Sequence, residues 1–223
     1  AAAAFVHAGA FGGALLSIAL VFAVARRDLG NAAVADGAEG TPRLLLAGVM
    51  LAAFWTALVT LMLALAPEAR IRGMLFWLAG DLGATDAGAW PAVALLGLTL
   101  ALWPLGRAMN LLLRGPLLAR TLGVRVVALR RLLYGAASLA TALAVTTSGA
   151  VGFIGLVVPH ALRLAIGNDQ RVLLPACALV GGAALLLADT VARTLVAPQQ
   201  LPVGIVTALV GVPTFLALLL RRR

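Results

Sequence analysis

Charge, acid and sulfur are what this sequence has least of. Only 11% of its 223 residues are charged, 8 of them acidic, while 63% are hydrophobic. A soluble domain of this length needs a charged surface over its apolar core, and a mean hydropathy of +1.07 excludes that class. The single cysteine, Cys177, lies in an apolar run, which excludes a disulfide pair and a thiolate metal cluster. Also absent are paired carboxylates at helical spacing inside an apolar run, His-x-x-x-His, Cys-x-x-Cys, a phosphate-binding Gly-x-x-x-x-Gly-Lys and a serine elbow. No catalytic residue, metal set or cofactor is therefore assigned. The two histidines, His7 and His160, stand too far apart in sequence to suggest a local metal site. His160, a lone ring near an apolar run, reads as a hydrogen-bonded packing residue.

What is present is apolar length. The runs 5–25, 43–66, 87–106, 132–152, 172–197 and 202–220 match the stretch of about 20 residues that crosses a hydrocarbon core of roughly 30 Å. A seventh run, 153–166, is shorter and has Pro159, His160 and Arg163 near its centre. It reads as a tilted or half-length helix, whose backbone needs shielding by protein where Pro159 frees a carbonyl. Glycine and alanine are dense within the runs, as in Gly181-Gly182-Ala183-Ala184, and small residues let helices approach closely where lipid supplies no hydrophobic drive. The expected fold class is an all-α polytopic membrane protein, with residues 1–223 forming a single transmembrane domain. The chain opens on Ala-Ala-Ala-Ala-Phe, without an initiator methionine or a basic signal segment, and passes straight into an apolar run. That is the pattern expected of a chain whose start is missing.

A net charge of +9 could suggest nucleic acid, but the charge is confined to segments between the runs, where the positive-inside rule accounts for it. Alternating through the spans places Arg26, Arg27, Arg43, Arg107, Arg114, Arg120, Arg125, Arg130, Arg131, Arg163, Arg171, Arg221, Arg222 and Arg223 inside. Only Arg70, Arg72 and Arg193 fall outside, a split of fourteen to three. The loop 28–41 and the basic segment 107–131 are thus expected on the cytoplasmic side, and nucleic acid is not an expected partner. The patch from Met74 to Leu78 is too short to span and reads as an interfacial helix on the outer side, with Trp77 and Trp90 at headgroup level.

Two local features stand out from this background. Trp103-Pro104 interrupts the 87–109 helix, after which Gly115-Pro116 and Gly123 bracket a short helix from Leu117 to Gly123. Leu117, Leu118 and Leu122 give it one side to bury, and Arg120 and Arg125 lie around it. Asp189 and Arg193 stand i,i+4 near the outer end of the 172–197 helix. They form either a helix-surface ion pair worth about 0.2–0.5 kcal/mol or a docking or pathway element, because ionisable groups at membrane depth are costly.

The stretch Ser148-Gly-Ala-Val-Gly-Phe-Ile-Gly-Leu-Val-Val-Pro-His160-Ala-Leu-Arg163, then Gly167-Asn-Asp-Gln-Arg171 and Leu174-Pro175, closely resembles the signature of permease subunits of bacterial importers for iron-siderophores, haem and vitamin B12. The likeness continues through Ala188-Asp-Thr-Val-Ala-Arg193-Thr and Leu201-Pro-Val-Gly-Ile-Val-Thr-Ala-Leu-Val-Gly-Val-Pro213. It is dense over 107–220 and looser over 5–106. The resemblance implies a type II ABC importer permease of about ten transmembrane helices, of which this chain holds about the last seven. It further implies a homodimer in the bacterial inner membrane, two cytoplasmic ATPase subunits and a periplasmic substrate-binding protein.

Carried onto this chain, the family's coupling region matches 113–124, within which Leu117, Leu118, Ala119, Arg120, Leu122 and Gly123 would meet the ATPase. The chain departs at Gly115-Pro116, where the family often has Gly-Glu, so that acidic contact is not carried over. Arg193 matches an outward arginine that meets a carboxylate of the binding protein. Gly149, Gly152, Pro159, His160, Arg163 and Asp189 are expected to serve structure or gating. Ala197-Pro198-Gln199-Gln200 occupies the family's variable outer turn.

The expected function is an ATP-driven importer permease for a bulky metal chelate, hydrolysing nothing itself. A secondary transporter of a small solute is the alternative, yet it usually needs a midplane carboxylate or a broken-helix ion site, and Asp189 lies near one end. A membrane-embedded enzyme lacks a convergent polar set.

Overall fold

The computed structural model describes residues 9–17, 19, 20, 23, 40–83 and 88–220, and every regular element among them is helical. Apolar solvent dictates this, since each backbone N–H and C=O then needs an internal partner, which a helix provides. Residues 9–17 are helical (α1). There follow α2 (Gly40–Leu65), α3 (Glu68–Leu78), α4 (Trp90–Leu102), a 3₁₀ turn (Trp103–Leu105), α5 (Gly106–Leu113) and α6 (Pro116–Thr121). The remainder is α7 (Val126–Ser148), α8 (Ile154–Ile166), α9 (Gln170–Thr194) and α10 (Val203–Leu220).

Among the described residues, four stretches are long and apolar enough to cross a membrane: Leu46–Leu65, Trp90–Leu113, Val126–Ser148 and Gln170–Thr194. Ile154–Ile166 and Val203–Leu218 are shorter apolar helices. Leucines such as Leu179 and Leu187 remain 76% and 68% exposed, the surface of a protein whose outer solvent is lipid. The chain is a multi-pass membrane protein. The expected run 5–25 is described only in part, and His7, Arg26, Arg27, most of the loop 28–41 and the three terminal arginines lie outside the described residues.

Two boundaries differ from expectation. The run expected at 132–152 is a helix over Val126–Ser148. It begins earlier because Arg130 and Arg131 join its first turns, where long basic side chains can reach out to polar surroundings. It stops at Gly149, whose φ of +68° is left-handed. The patch at Met74–Leu78 belongs to an 11-residue helix opening on Glu68, an acid suited to the positive end of the helix dipole.

The packing divides into two units, residues 1–74 with 119–146 and residues 75–118 with 147–223. In the second unit α8, α9 and α10 pack on one another, while α4, the 3₁₀ turn and α5 lie against α9. Met109, Val158, Leu173, Ala192 and Val203 form its buried apolar positions; in the first unit they are Val126, Leu129 and Ala142, together with Ala119.

The second unit also holds an irregular junction that the helices enclose. The first N–H groups of α10 have no partner within their own helix. They find one in the segment after α3: Val203 N donates to Gly80 O at 2.9 Å and Gly204 N to Ala79 O at 3.0 Å. Asp81 N in turn donates to Ser148 O at 3.1 Å. Gly149 and Gly204 are required for so close an approach, because a Cβ at the first would overlap the Trp77 carbonyl oxygen and at the second the Ala79 carbonyl oxygen. Phe153 starts α8 at φ +66°, the one non-glycine residue with positive φ among those described. Its ring rests on Gly211 of α10, where a Cβ would lie 3.1 Å from Phe153 Cγ.

Candidate functional site

The segment expected to couple to a partner is built by two left-handed glycines. α5 ends at Leu113, and Gly115, at φ +122°, turns the chain away with its N–H on Leu112 O at 3.2 Å. Pro116 then opens α6, a first-turn position where its missing N–H costs nothing. Gly123, at φ +82°, closes it, with Gly123 N on Arg120 O and Val124 N on Ala119 O, both at 2.9 Å. The helix stops at Thr121, so Leu122 and Gly123 form the turn beyond it rather than its last residues. Ala119 is fully buried, whereas Leu117, Leu118 and Leu122 are 69%, 44% and 57% exposed. Arg120 is exposed beside them. The leucines expected to bury one side are thus uncovered within this chain, and the side that it does bury is Ala119.

At one end of α9, Arg193 Nε donates to Asp189 Oδ2 at 2.8 Å, with the arginine 39% and the aspartate 18% exposed. Of the two readings of this pair, the ion pair is present. A further neighbour joins it. Gly83 N donates to Asp81 Oδ1 at 2.7 Å, and a Cβ on Gly83 would lie 3.4 Å from both terminal nitrogens of Arg193. Arg193 therefore faces a glycine turn held by a second carboxylate.

His160 departs from expectation. Its ring meets Phe215 of α10 edge-on, with centroids 6.0 Å apart, so it packs, but its buried Nε2 has no hydrogen-bond partner among the described residues. The phenyl ring across from it supplies apolar contact and no lone pair. Pro159 lies inside α8 and frees the Gly155 carbonyl, yet Gly155 is exposed. Arg163 is exposed in the last turn of α8. Gly149 is locked into the junction, while a Cβ on Gly152 would meet nothing within 4 Å.

One group of residues was missed by sequence reasoning. Asn110 of α5 grips the α8–α9 turn with both ends of its amide: Nδ2 donates to Asp169 Oδ1 at 2.7 Å and Oδ1 accepts from Gln170 N at 2.8 Å. Trp103 Nε1 donates to Arg171 O at 3.1 Å. Asp169 is also the N-cap of α9, accepting from Arg171 N at 3.0 Å. The Asn110 amide, followed by the Arg171 N–H, holds the Asp169 carboxyl below its ordinary value. Trp103 and Asn110 stand i,i+7, two turns apart on one helical face, which is the only signal the sequence carried.

Among the described residues no group of three or more His, Cys, Asp or Glu side chains is placed to hold a metal ion. The sequence pattern of the FecCD transport family matches residues 1–221. The chain belongs to that family. It is 41% identical over 215 residues to the vitamin B12 import system permease protein BtuC of Escherichia coli O9:H4 (strain HS), a match covering 96% of this chain and 63% of that one. The same values hold for the permease of that name from Shigella boydii serotype 18 (strain CDC 3083-94 / BS512). Among solved structures, one assigned to the metal-chelate type of ABC transporter, in an inward-facing conformation, superposes with a TM-score of 0.79. Its identity is 29%, over 97% of this chain and 73% of that one. The fold is that of a type II ABC permease, and the chain spans 63% of the length of the curated relatives it matches.

Proposed function

We propose that this FecCD-family chain is the permease subunit of an ATP-driven importer for a bulky metal chelate of the cobalamin, iron-siderophore or haem class. It works as a homodimer in the bacterial inner membrane, with two cytoplasmic ATPase subunits and a periplasmic binding protein. Hydrolysis belongs to the ATPase partners, and the permease converts their closure into movement of its own helices. The single observation that carries this reading is α6: a short helix set off by Gly115 and Gly123, presenting Leu117, Leu118 and Leu122 uncovered beside Arg120. Covering a leucine fully is worth roughly 1.5–3 kcal/mol, enough for three of them to anchor a partner's groove. Arg193, on the other face of the membrane, is the cation offered to a carboxylate of the binding protein.

Leu118→Asp tests the reading, because a desolvated carboxylate in such a groove should cost both assembly and transport. Co-purification of the ATPase subunits and uptake into proteoliposomes are the readouts, and no change in either would reject α6 as the docking element. The chelate class follows from uptake assays in which cobalamin, a ferric siderophore or haem is supplied with its binding protein.

A further inference from the structure

Pro175 lies inside α9. Proline has no N–H, so the carbonyl four residues earlier, that of Arg171, loses its helical donor. Such a carbonyl is left to find a substitute donor. Here the substitute comes from another element, the indole N–H of Trp103 at 3.1 Å. One turn along the same face, buried Gly106 lets α5 approach so closely that a Cβ would lie 2.7 Å from Arg171 Cγ and 3.3 Å from its backbone nitrogen. Another turn along, Asn110 bonds the Asp169 carboxylate and the Gln170 N–H. Two defects of the first turns of α9, the unpaired Gln170 N–H and the proline gap, are thus met from the α4–α5 side, while Asp169 caps the Arg171 N–H.

The joint has a consequence for motion. α5 leads through Arg114 and Gly115 directly into α6, and the 25-residue α9 carries the Asp189–Arg193 pair in its last turns, Arg193 lying about 34 Å from Gln170 at 1.5 Å per residue. We propose that Trp103 and Asn110 are positioning residues that lock the α6-bearing segment to α9, so that a displacement imposed at α6 is carried to the Arg193 end. This rests on α6 being the element on which the ATPase docks. Two of the three hydrogen bonds end on backbone atoms of Gln170 and Arg171, and closely packed elements shift as units rather than deforming. An alanine at position 175 would have completed α9 from within. The proline instead makes the completeness of α9 depend on where α4 and α5 stand.

The test uses the full-length protein assembled with its ATPase subunits in proteoliposomes. The readout is the ratio of ATP hydrolysis with the binding protein to hydrolysis without it. Trp103→Phe and Asn110→Ala should each lower this ratio by about 5-fold or more, the lower bound of an ordinary coupling between sites, while assembly and basal hydrolysis stay as in the parent. Pro175→Ala, which returns a helical N–H to the Arg171 carbonyl, should restore the melting temperature of Trp103→Phe without restoring the ratio. A ratio retained in Trp103→Phe and Asn110→Ala would overturn the proposal. So would a ratio restored by Pro175→Ala, since Trp103 would then serve only to repair the helix. Should Asn110→Ala fail to assemble, the Trp103→Phe and Pro175→Ala pair decides alone. ATPase binding is read separately with Leu118→Asp, whose retention of the ATPase subunits would fault the docking reading and not the joint.

Discussion

Gly149 and Gly152 look alike in the sequence and should behave very differently when each is changed to alanine. At Gly149 the backbone is left-handed, at φ +68°, which costs a residue with a Cβ roughly 1–2 kcal/mol. The added carbon would overlap the Trp77 carbonyl oxygen and lie 3.1 Å from Gly80 Cα. Both obstacles are backbone, so no side chain can swing away, and overpacking of this kind costs roughly 1–3 kcal/mol. Relief by moving the backbone pulls on the Asp81 N to Ser148 O bond of 3.1 Å, worth about 1 kcal/mol. The sum is about 3–6 kcal/mol, a large share of the 5–15 kcal/mol that holds a protein folded. Gly152→Ala meets nothing within 4 Å and should stay within about 0.5 kcal/mol. Thermal unfolding of the two purified proteins in one detergent reads the difference, which should be on the order of 10 °C for a chain of this length. Equal melting temperatures would refute the reasoning. Parental melting of Gly149→Ala with transport abolished would assign Gly149 to gating rather than to the junction.

Two further outcomes concern charge. Arg193→Glu places a carboxylate beside Asp189, within reach of the turn held by Asp81, and confronts an acidic partner with like charge. Binding-protein association should slow, most at low salt where the repulsion is least screened, as rim charges act chiefly on association, while ATPase assembly survives. Unchanged affinity in a well-folded complex would leave Arg193 with only its ion pair. For Asp169 the folded-state pKa lies below 3.8, so its contribution is present above that value and is lost as pH falls through the lower folded one. Asp169→Asn should therefore flatten the acid limb of the stability curve, and a limb identical in shape to the parent's would remove Asp169 from the account.

How much could be read beforehand depended on whether the cause was local. Apolar runs add residue by residue, so α2, α7, α9 and α10 were legible, as were the breaks at Trp103-Pro104 and around α6 and the i,i+4 contact of Asp189 with Arg193. The exposure of Leu117, Leu118 and Leu122 was not, because a helix pattern says which side is apolar and not whether the same chain covers it. Nor could sequence separate Gly149 from Gly152, since the obstacle at Gly149 is the Trp77 carbonyl, brought there by the pairing of Asp81 with Ser148 and of α10 with Ala79 and Gly80.

The prolines show the limit most plainly. Each one inside a membrane helix announces an unmet carbonyl four residues earlier, and that need is legible from sequence alone. Who meets it is a matter of tertiary structure: Trp103 reaches Arg171 across 68 residues of chain, while the carbonyl freed by Pro159 lies at an exposed Gly155. The first proline is closed from within the chain and ties two helices together. For the second, the proline says that a donor is needed and not which group supplies it.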